Sequence, residues 1–212
     1  MTGMMGYGHN AKKLAEQYES ITFFDIHRDV LHLFPQSPFR VLDVGAGSGR
    51  DAAALAADGN TVVAVEPTAE LRQEGMRIHA GKAINWVDDQ LPHLTNIHAH
   101  HAPFDLILLT AVWMHLNEAE RYDSMASIAG LLKPGGRVSM SLRHGPVPHG
   151  RKMFAVSAAE TTLLASSFGL RSVLNVERED MLGRNDVRWS FMVLENTTYL
   201  GSTPINFRSR RS

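Results

Sequence analysis

The chain has 212 residues, with 21 basic and 22 acidic side chains, a formal net charge of −1 and no cysteine. This length predicts one globular domain with short terminal extensions. The balanced charge argues against nucleic acid as the main partner, because nucleic-acid binding requires a basic face. Without cysteine the chain has no disulfide, no thiolate nucleophile and no cysteine-ligated zinc, which fits a cytoplasmic location.

The two termini predict neither export nor membrane insertion. The first residues, "MTGMMGYGHN", lack the basic start and the apolar stretch of a signal peptide. No window approaches about 18 uninterrupted apolar residues, so we expect no membrane partner. The last residues, "NFRSRRS", carry three arginines and predict a flexible, solvated tail over 201–212.

Apolar runs and helical segments alternate along the chain. "FRVLDVG" has its apolar run at Val41, Leu42 and Val44, as expected of a strand buried on both faces, and the helix "RDAAALAADG" follows it. Asp51 stands near the start of that helix, and Gly59 is placed to end it. "NTVVAVEP" predicts a second strand, "TAELRQEGMRIHAG" a helix and "AINWVDD" a third strand. The histidine-rich "PHLTNIHAHH" that comes next predicts a loop.

The second half of the chain continues the alternation. "FDLILLTAV" is the most apolar run and predicts the centre of the sheet, and "EAERYDSMASIAGLLKPGG" predicts a helix that closes on a Pro-Gly-Gly turn. "RVSMSLRHG" predicts a fifth strand, and "SAAETTLLASSFG" a helix with Ser157 as its N-cap. The short "MLGRND" between "LRSVLNVERE" and "VRWSFMVLE" predicts an antiparallel hairpin.

These elements predict the α/β fold class. We expect a doubly wound, mostly parallel seven-stranded sheet with helices on both faces and an antiparallel C-terminal hairpin. In such sheets a ligand binds beyond the carboxyl ends of the strands, at the point where the strand order reverses.

A glycine loop, "GAGSG", joins the first strand to its helix. Gly45, Gly47 and Gly49 form G-x-G-x-G, and Arg50 occupies the place of the last glycine of the dinucleotide pattern G-x-G-x-x-G. The Lys-Ser/Thr ending of a phosphate-binding loop is missing, and Asp51 at the helix start would repel a phosphate. The loop therefore favours a ligand that approaches the backbone closely and carries no phosphate there.

A carboxylate follows the second strand at an informative distance. Glu66 stands 21 residues after Gly45, the separation at which a carboxylate meets the two ribose hydroxyls of a bound adenosine. A nicotinamide-dependent oxidoreductase stays open as an alternative. However, none of Tyr7, Tyr18, Tyr122 and Tyr199 is followed four positions later by the lysine of a short-chain dehydrogenase.

At this point the sequence resembles the class I S-adenosylmethionine-dependent methyltransferases, which have a Rossmann-like fold. "VLDVGAGSGRDAAALAADG" resembles the first family motif and "VVAVEP" the second, with its acidic residue at the strand end. "NWVDDQLPHL" resembles the adenine-contacting segment, and "FDLILLTAVWMHL" followed by "LLKPGGRVSMS" resembles the fourth and fifth motifs. The resemblance implies S-adenosylmethionine as cofactor and S-adenosylhomocysteine as product.

The resemblance also implies which residues bind the cofactor. The residues implied are Tyr18, Asp43, Gly45, Ala46, Gly47, Arg50, Glu66, Pro67, Asp88, Asp89 and Thr110. The glycine-loop backbone would pass the methionine moiety, and the Thr110 carbonyl would meet the ammonium group. Either Asp88 or Asp89 would contact adenine, with Asp88 favoured. Family members often close the site with an N-terminal helix, and "KKLAEQYESI", with Tyr18, is the candidate here.

The sequence says less about which residues bind and activate the methyl acceptor. His115 and His144 are the candidate catalytic bases, since histidine titrates near neutral pH and both follow strands of the sheet. The candidate substrate-binding residues are Trp113, Arg143, Arg151, Arg184 and Trp189. Because arginine forks suit carboxylates and phosphates, we expect a small acceptor that bears an anionic group.

Several further expectations follow from what the chain lacks. No acidic or cysteine ligand set completes the histidine-rich segment, so no metal is expected. The Asn/Asp-Pro-Pro-Tyr/Phe motif of methyltransferases that act on nucleobases or glutamine is missing, which favours a small-molecule acceptor. We expect a monomer or homodimer with a helical cap over the cofactor site at 1–35, the methyltransferase domain at 36–200 and a tail at 201–212. A non-catalytic S-adenosylmethionine-binding module of the same fold stays open as an alternative.

Overall fold

The computed structural model describes residues 10–198, so the predicted tail lies outside the described residues. Helices and strands alternate along the chain as predicted. The helices are α1 (Ala11–Glu19), α2 (Phe23–His27), α3 (Arg50–Ala57), α4 (Ala69–Ile78), α5 (Thr95–His100), α6 (Glu118–Leu131) and α7 (Ala158–Ser166). The strands are β1 (Arg40–Val44), β2 (Thr61–Val65), β3 (Ile84–Val87), β4 (Phe104–Leu109), β5 (Leu132–His144), β6 (Leu170–Glu179) and β7 (Arg188–Asn196). Short 3-10 turns cover Leu31–Leu33 and Trp113–His115.

Within residues 10–198 the strands form one seven-stranded sheet in the order β3-β2-β1-β4-β5-β7-β6. The first five strands in this order pair in parallel, and β7 runs antiparallel to both β5 and β6. The predicted fold class and the C-terminal hairpin are therefore confirmed. The strand order reverses between β1 and β4, which is the point where the sequence predicted a ligand.

The centre of the sheet carries the main core. Leu106, Ile107, Leu108 and Leu109 of β4 are fully buried, which confirms the prediction that this run is central. Continuous apolar sequence is required here because helices cover both faces of a parallel sheet. The ends of β1 and β4 are thereby held rigidly at the edge where the strand order reverses.

The Pro-Gly-Gly segment differs from its predicted role as the end of a helix. Helix α6 already ends at Leu131, and β5 begins at Leu132, which pairs with Phe104 of β4. The register then shifts, so that the next pair joins Leu106 to Arg137. Residues 133–136 therefore form a bulge inside the strand, and Gly135 supplies the positive φ of 74° that the bulge needs.

The histidine-rich segment, predicted to be a loop, contains the short helix α5. The Asp89 carboxylate caps this helix, since Oδ2 accepts hydrogen bonds from the backbone N–H groups of Asn96 and Ile97 at 2.8 and 3.0 Å. Ile97 is fully buried, so the helix also contributes to the core. A side chain six residues before the helix replaces the usual adjacent N-cap, which is why the sequence pattern did not indicate a helix.

The N-terminal part contains the predicted helix and one helix that the sequence analysis missed. Helix α1 packs on α4, with Leu14 and Ala15 against Leu71. Helix α2 has only five residues, and Thr22 caps it by accepting a hydrogen bond from the Asp25 N–H at 3.1 Å. The boundaries of the helical cap stay a prediction. Across residues 10–198, none of the helices combines the length and the apolar character needed to cross a membrane.

Candidate functional site

A cavity of about 390 Å³ opens at the carboxyl ends of the parallel strands, where their order reverses. Of the residues predicted for the site, its wall includes Tyr18, Asp43, Gly45, Ala46, Gly47, Arg50, Glu66, Pro67, Thr110, His115, Arg143, Arg151, Arg184 and Trp189. The wall does not include the other four predicted residues, Asp88, Asp89, Trp113 and His144.

The glycine loop places its backbone against the cavity. Gly45 and Gly47 have φ angles of +70° and +58°, which disfavour side chains. A Cβ added to Gly45 would lie 2.7 Å from Cγ2 of Val112, and one added to Gly47 would lie 3.1 Å from the Tyr18 ring. The absence of these side chains therefore keeps the loop close to β4 and to α1.

Glu66 connects the end of β2 to the glycine loop. Its carboxylate accepts hydrogen bonds from the Gly47 N–H at 2.9 Å and from the Thr68 N–H at 2.8 Å. Glu66 is only 4% exposed, and this burial raises the pKa of its carboxyl group although the backbone hydrogen bonds oppose the rise. Each carboxylate oxygen retains acceptor capacity on the cavity side, because an ionised carboxylate offers about four lone-pair sites.

Asp43 places a buried carboxyl group without full hydrogen bonding on the same wall. Its Oδ2 has no hydrogen-bond partner among residues 10–198. Burial and the neighbouring carboxylate of Asp51 hold the pKa of Asp43 well above its ordinary value of 3.8. A cationic ligand group could donate a hydrogen bond to Oδ2. It would also lower the pKa of Asp43, since an opposite charge favours the ionised carboxylate.

Asp51 joins three elements beneath the loop. It accepts hydrogen bonds from Nε2 of His27 and Oγ1 of Thr110, both at 2.9 Å, and from Nε of Arg50 at 2.7 Å. Burial raises the pKa of Asp51, but its interactions with Arg50 and His27 outweigh burial and hold that pKa far below the ordinary value. Arg50 also donates from Nη1 to the Tyr18 carbonyl at 3.0 Å. This network fastens α1 and α2 to the loop.

The two candidate adenine contacts, Asp88 and Asp89, lie outside the cavity wall. Asp88 is exposed and pairs with Nη2 of Arg72 at 2.9 Å, whereas the side chain of Asp89 caps α5. Both residues therefore have structural partners in this arrangement, and their predicted contact with adenine stays a prediction.

His115 lies on the cavity wall in the 3-10 turn after β4. Its Nδ1 lies 3.3 Å from the Lys152 carbonyl, which selects the tautomer with the proton on Nδ1 and the lone pair on Nε2. Burial lowers the pKa of His115 below 6.5, and the charges of Arg151 and Arg143 act in the same direction. The imidazole is therefore neutral at neutral pH, as a general base requires.

Two other predicted acceptor-side residues point elsewhere. His144 bonds through Nε2 to Oγ of Ser190 at 2.7 Å. Neighbouring residues of a strand face opposite sides of the sheet. Since the Arg143 side chain lines the cavity, the His144 side chain faces the other side of the sheet. Trp113 is fully buried and belongs to the main hydrophobic core.

The turn of the β6–β7 hairpin forms the far wall of the cavity around a residue that the sequence analysis missed. Asp180 accepts hydrogen bonds from Nε and Nη2 of Arg184 at 3.0 and 2.6 Å and from Nε1 of Trp189 at 2.9 Å. These bonds outweigh burial and hold the pKa of Asp180 far below its ordinary value. A lone Asp in a hairpin turn gave no sequence signal, because its partners become close only when the hairpin forms.

Apolar side chains that the sequence analysis also missed line the cavity as well. They are Ile21, Ile26, Met114, Met153, Met181, Leu182 and Phe191. They come from several different elements, and no sequence period connects them. Within residues 10–198 no group of three or more His, Asp or Glu side chains is arranged to hold a metal ion.

Comparison with known proteins identifies the domain. Residues 41–136 match the sequence model of a family described as a methyltransferase domain. The chain is 28% identical over 132 residues to an uncharacterized methyltransferase of Geobacillus kaustophilus, over 62% of this chain and 59% of that protein. It is 31% identical over 150 residues to a demethylmenaquinone methyltransferase of Clavibacter sepedonicus, over 66% of this chain and 58% of that protein. The chain thus spans less than two thirds of the length of these relatives.

A solved structure agrees in fold. The Burkholderia thailandensis 1,6-didemethyltoxoflavin-N1-methyltransferase, crystallised with 1,6-didemethyltoxoflavin and S-adenosylhomocysteine, superposes with a TM-score of 0.63 at 22% identity. The match covers 90% of this chain and 80% of that chain. Residues 41–136 therefore match a methyltransferase domain in sequence, and the chain has the fold of the class I S-adenosylmethionine-dependent methyltransferases, as the sequence motifs predicted.

Proposed function

We propose that the protein transfers a methyl group from S-adenosylmethionine to a small-molecule acceptor that bears an anionic group. The observation that carries this proposal is one cavity with two halves of opposite charge. The half beside β1 and β2 carries Asp43, Asp51 and Glu66 against Arg50, whereas the half beside β5 and β7 carries Arg143, Arg151 and Arg184 against Asp180. An acidic half suits a cationic donor, and a basic half suits an anionic acceptor.

The cofactor half has the chemistry that S-adenosylmethionine requires. Glu66 would accept hydrogen bonds from the ribose hydroxyls, and Asp43, whose Oδ2 has no partner within the described residues, would receive the ammonium group. The loop from Gly45 to Gly47 would pass the methionine moiety, with Tyr18 covering it. When bound, S-adenosylmethionine supplies a methyl group on a positively charged sulfur. The cavity walls would hold that methyl group in line with the acceptor, which is the main catalytic task.

The strand order separates the two halves of the cavity. From β2 to β5 the sheet crosses three interstrand spacings, or roughly 14 Å. β4 lies between them, and the turn that follows it carries Thr110, Met114 and His115. His115 therefore stands between the donor half and the acceptor half, where a base would take the acceptor proton. A cytoplasmic location and a monomeric or homodimeric state stay predictions.

Methyl transfer tests this proposal together with the role of His115. Purified protein should transfer label from methyl-labelled S-adenosylmethionine to a member of a library of small hydroxyl, amine and thiol compounds that carry an anionic group. With that acceptor, kcat/KM should fall only below pH 6.5, because the lowered pKa of His115 keeps its base form at lower pH than an ordinary histidine. His115→Gln should reduce kcat about 100-fold or more and remove this acidic limb.

The matched control is His98→Gln. His98 is exposed on α5 and bonds to Ser127, away from the cavity. This variant should keep both the rate and the pH profile of the wild type. If the His115→Gln enzyme keeps the fall of kcat/KM at low pH, His115 is not the base. If none of the compounds receives the label, the proposed reaction is contradicted.

A further inference from the structure

The arginines of the acceptor half differ in what they contact. Arg184 directs Nε and Nη2 at the two carboxylate oxygens of Asp180, and its backbone N–H also donates to Asp180 at 3.2 Å. The same carboxylate holds the indole N–H of Trp189. The charge of Arg184 is therefore already neutralised, and its fork is committed to the hairpin turn.

Arg143 has no comparable partner in the described part of the chain. Arg143 is only 9% exposed. Its Nη1 donates to the Pro146 carbonyl at 2.8 Å, and its Nε has no hydrogen-bond partner among residues 10–198. No carboxylate of the described residues lies within the 4 Å of an ion pair with Arg143, although Asp180 and Asp186 act on it from further away. A buried guanidinium without a carboxylate is costly, and an anion would stabilise it.

Apolar side chains share the cavity wall with Arg143. Trp189 lies directly opposite it in the β5–β7 pair, and both side chains line the cavity. The same cavity wall also contains Met114, Met153 and Phe191. Aromatic and thioether side chains pack well against a flat apolar body. One guanidinium fork matches one carboxylate in charge and geometry.

We propose that Arg143 binds a carboxylate carried on a flat, apolar acceptor, and that Arg184 serves only to hold the hairpin turn. This inference rests on the proposed methyltransferase function and names the acceptor class for it. It gives different roles to two of the three arginines of the acceptor half, because Arg143 would bind the substrate whereas Arg184 would shape the wall.

The test compares benzoate with benzamide, two probes of the same shape that differ in charge. Each probe is titrated into protein saturated with S-adenosylhomocysteine, and binding is followed by ligand-detected NMR. Benzoate should bind wild-type protein about tenfold more tightly than benzamide, the effect of a hydrogen-bonded charge. Arg143→Met should abolish this preference. Arg143→Lys, which retains the charge but not the fork, should retain a smaller preference.

Other variants separate Arg143 from the remaining positive charge. Arg184→Met should lower the melting temperature but keep the tenfold benzoate preference. Arg77→Met, which removes an exposed arginine of α4 that pairs with Glu74, should behave as wild type. Inorganic phosphate should bind more weakly than benzoate, and tighter binding of phosphate would overturn the carboxylate assignment.

Two outcomes would contradict the proposal about Arg143. One is equal binding of benzoate and benzamide by wild-type protein, and the other is an Arg143→Met protein, folded by circular dichroism, that keeps the preference. Saturation with S-adenosylhomocysteine is measured in the same samples. Failure of that step would refute the proposed cofactor, whereas normal saturation without a benzoate preference would refute only the role of Arg143.

Discussion

Glu66→Ala should weaken the binding of S-adenosylhomocysteine about 100-fold. Two hydrogen bonds from ribose hydroxyls to a charged carboxylate would be lost, at about 1.5 kcal/mol or more each. The Gly47 N–H would also lose its acceptor, which would loosen the loop that we propose passes the methionine moiety. Titration calorimetry measures the dissociation constant of S-adenosylhomocysteine for the wild type and the variant.

Glu66→Gln sharpens this prediction. A glutamine keeps the shape of the side chain, but its NH2 group would meet either the Gly47 or the Thr68 N–H, so one donor would face another donor. We therefore expect a substantial loss of affinity here as well. Glu74→Gln, on the outer part of α4, is the matched control and should bind as wild type. A folded Glu66→Ala protein that binds within twofold of wild type would contradict the role of Glu66.

Asp51→Ala should lower the free energy of unfolding by about 3 kcal/mol, as expected when one member of a buried ionic group is removed. Arg50, His27 and Thr110 would each lose the acceptor that holds them. The loss should be smaller than for an isolated buried pair, because removing Asp51 also relieves its repulsion of Asp43. Urea denaturation of the ligand-free protein measures the change.

The control for Asp51→Ala is Asp58→Ala at the exposed end of the same helix, α3. It should change the free energy of unfolding by less than about 0.5 kcal/mol, as most surface substitutions do. If Asp51→Ala costs no more than this control, the network does not fasten α1 and α2 to the glycine loop.

Local patterns allowed the fold and much of one part of the cavity wall to be predicted. Continuous apolar strands specify a parallel sheet covered on both faces, and β4 was correctly placed at its centre. The glycine loop and Glu66 could be found because each directly follows a strand, and parallel strands end at the same edge. Their spacing along the chain therefore determines their proximity in space.

The remaining features depend on contacts between distant segments. His27 and Asp51 stand 24 residues apart and meet only because α2 packs beside the start of α3. Trp113 comes four residues after the end of β4, in a 3-10 turn whose geometry turns the indole into the core and leaves His115 on the cavity wall. The sequence shows that these residues follow a strand, but the side to which each one points depends on the backbone of the turn.

The most direct test of the proposed cofactor is thermal unfolding with S-adenosylhomocysteine and, in parallel, with NAD and NADP. At a concentration of 100 times its dissociation constant, S-adenosylhomocysteine should add about 2.7 kcal/mol to the free energy of unfolding, and the melting temperature should rise with its concentration. NAD and NADP should produce no such rise. Stabilisation by a nicotinamide nucleotide and not by S-adenosylhomocysteine would contradict the proposed methyltransferase function.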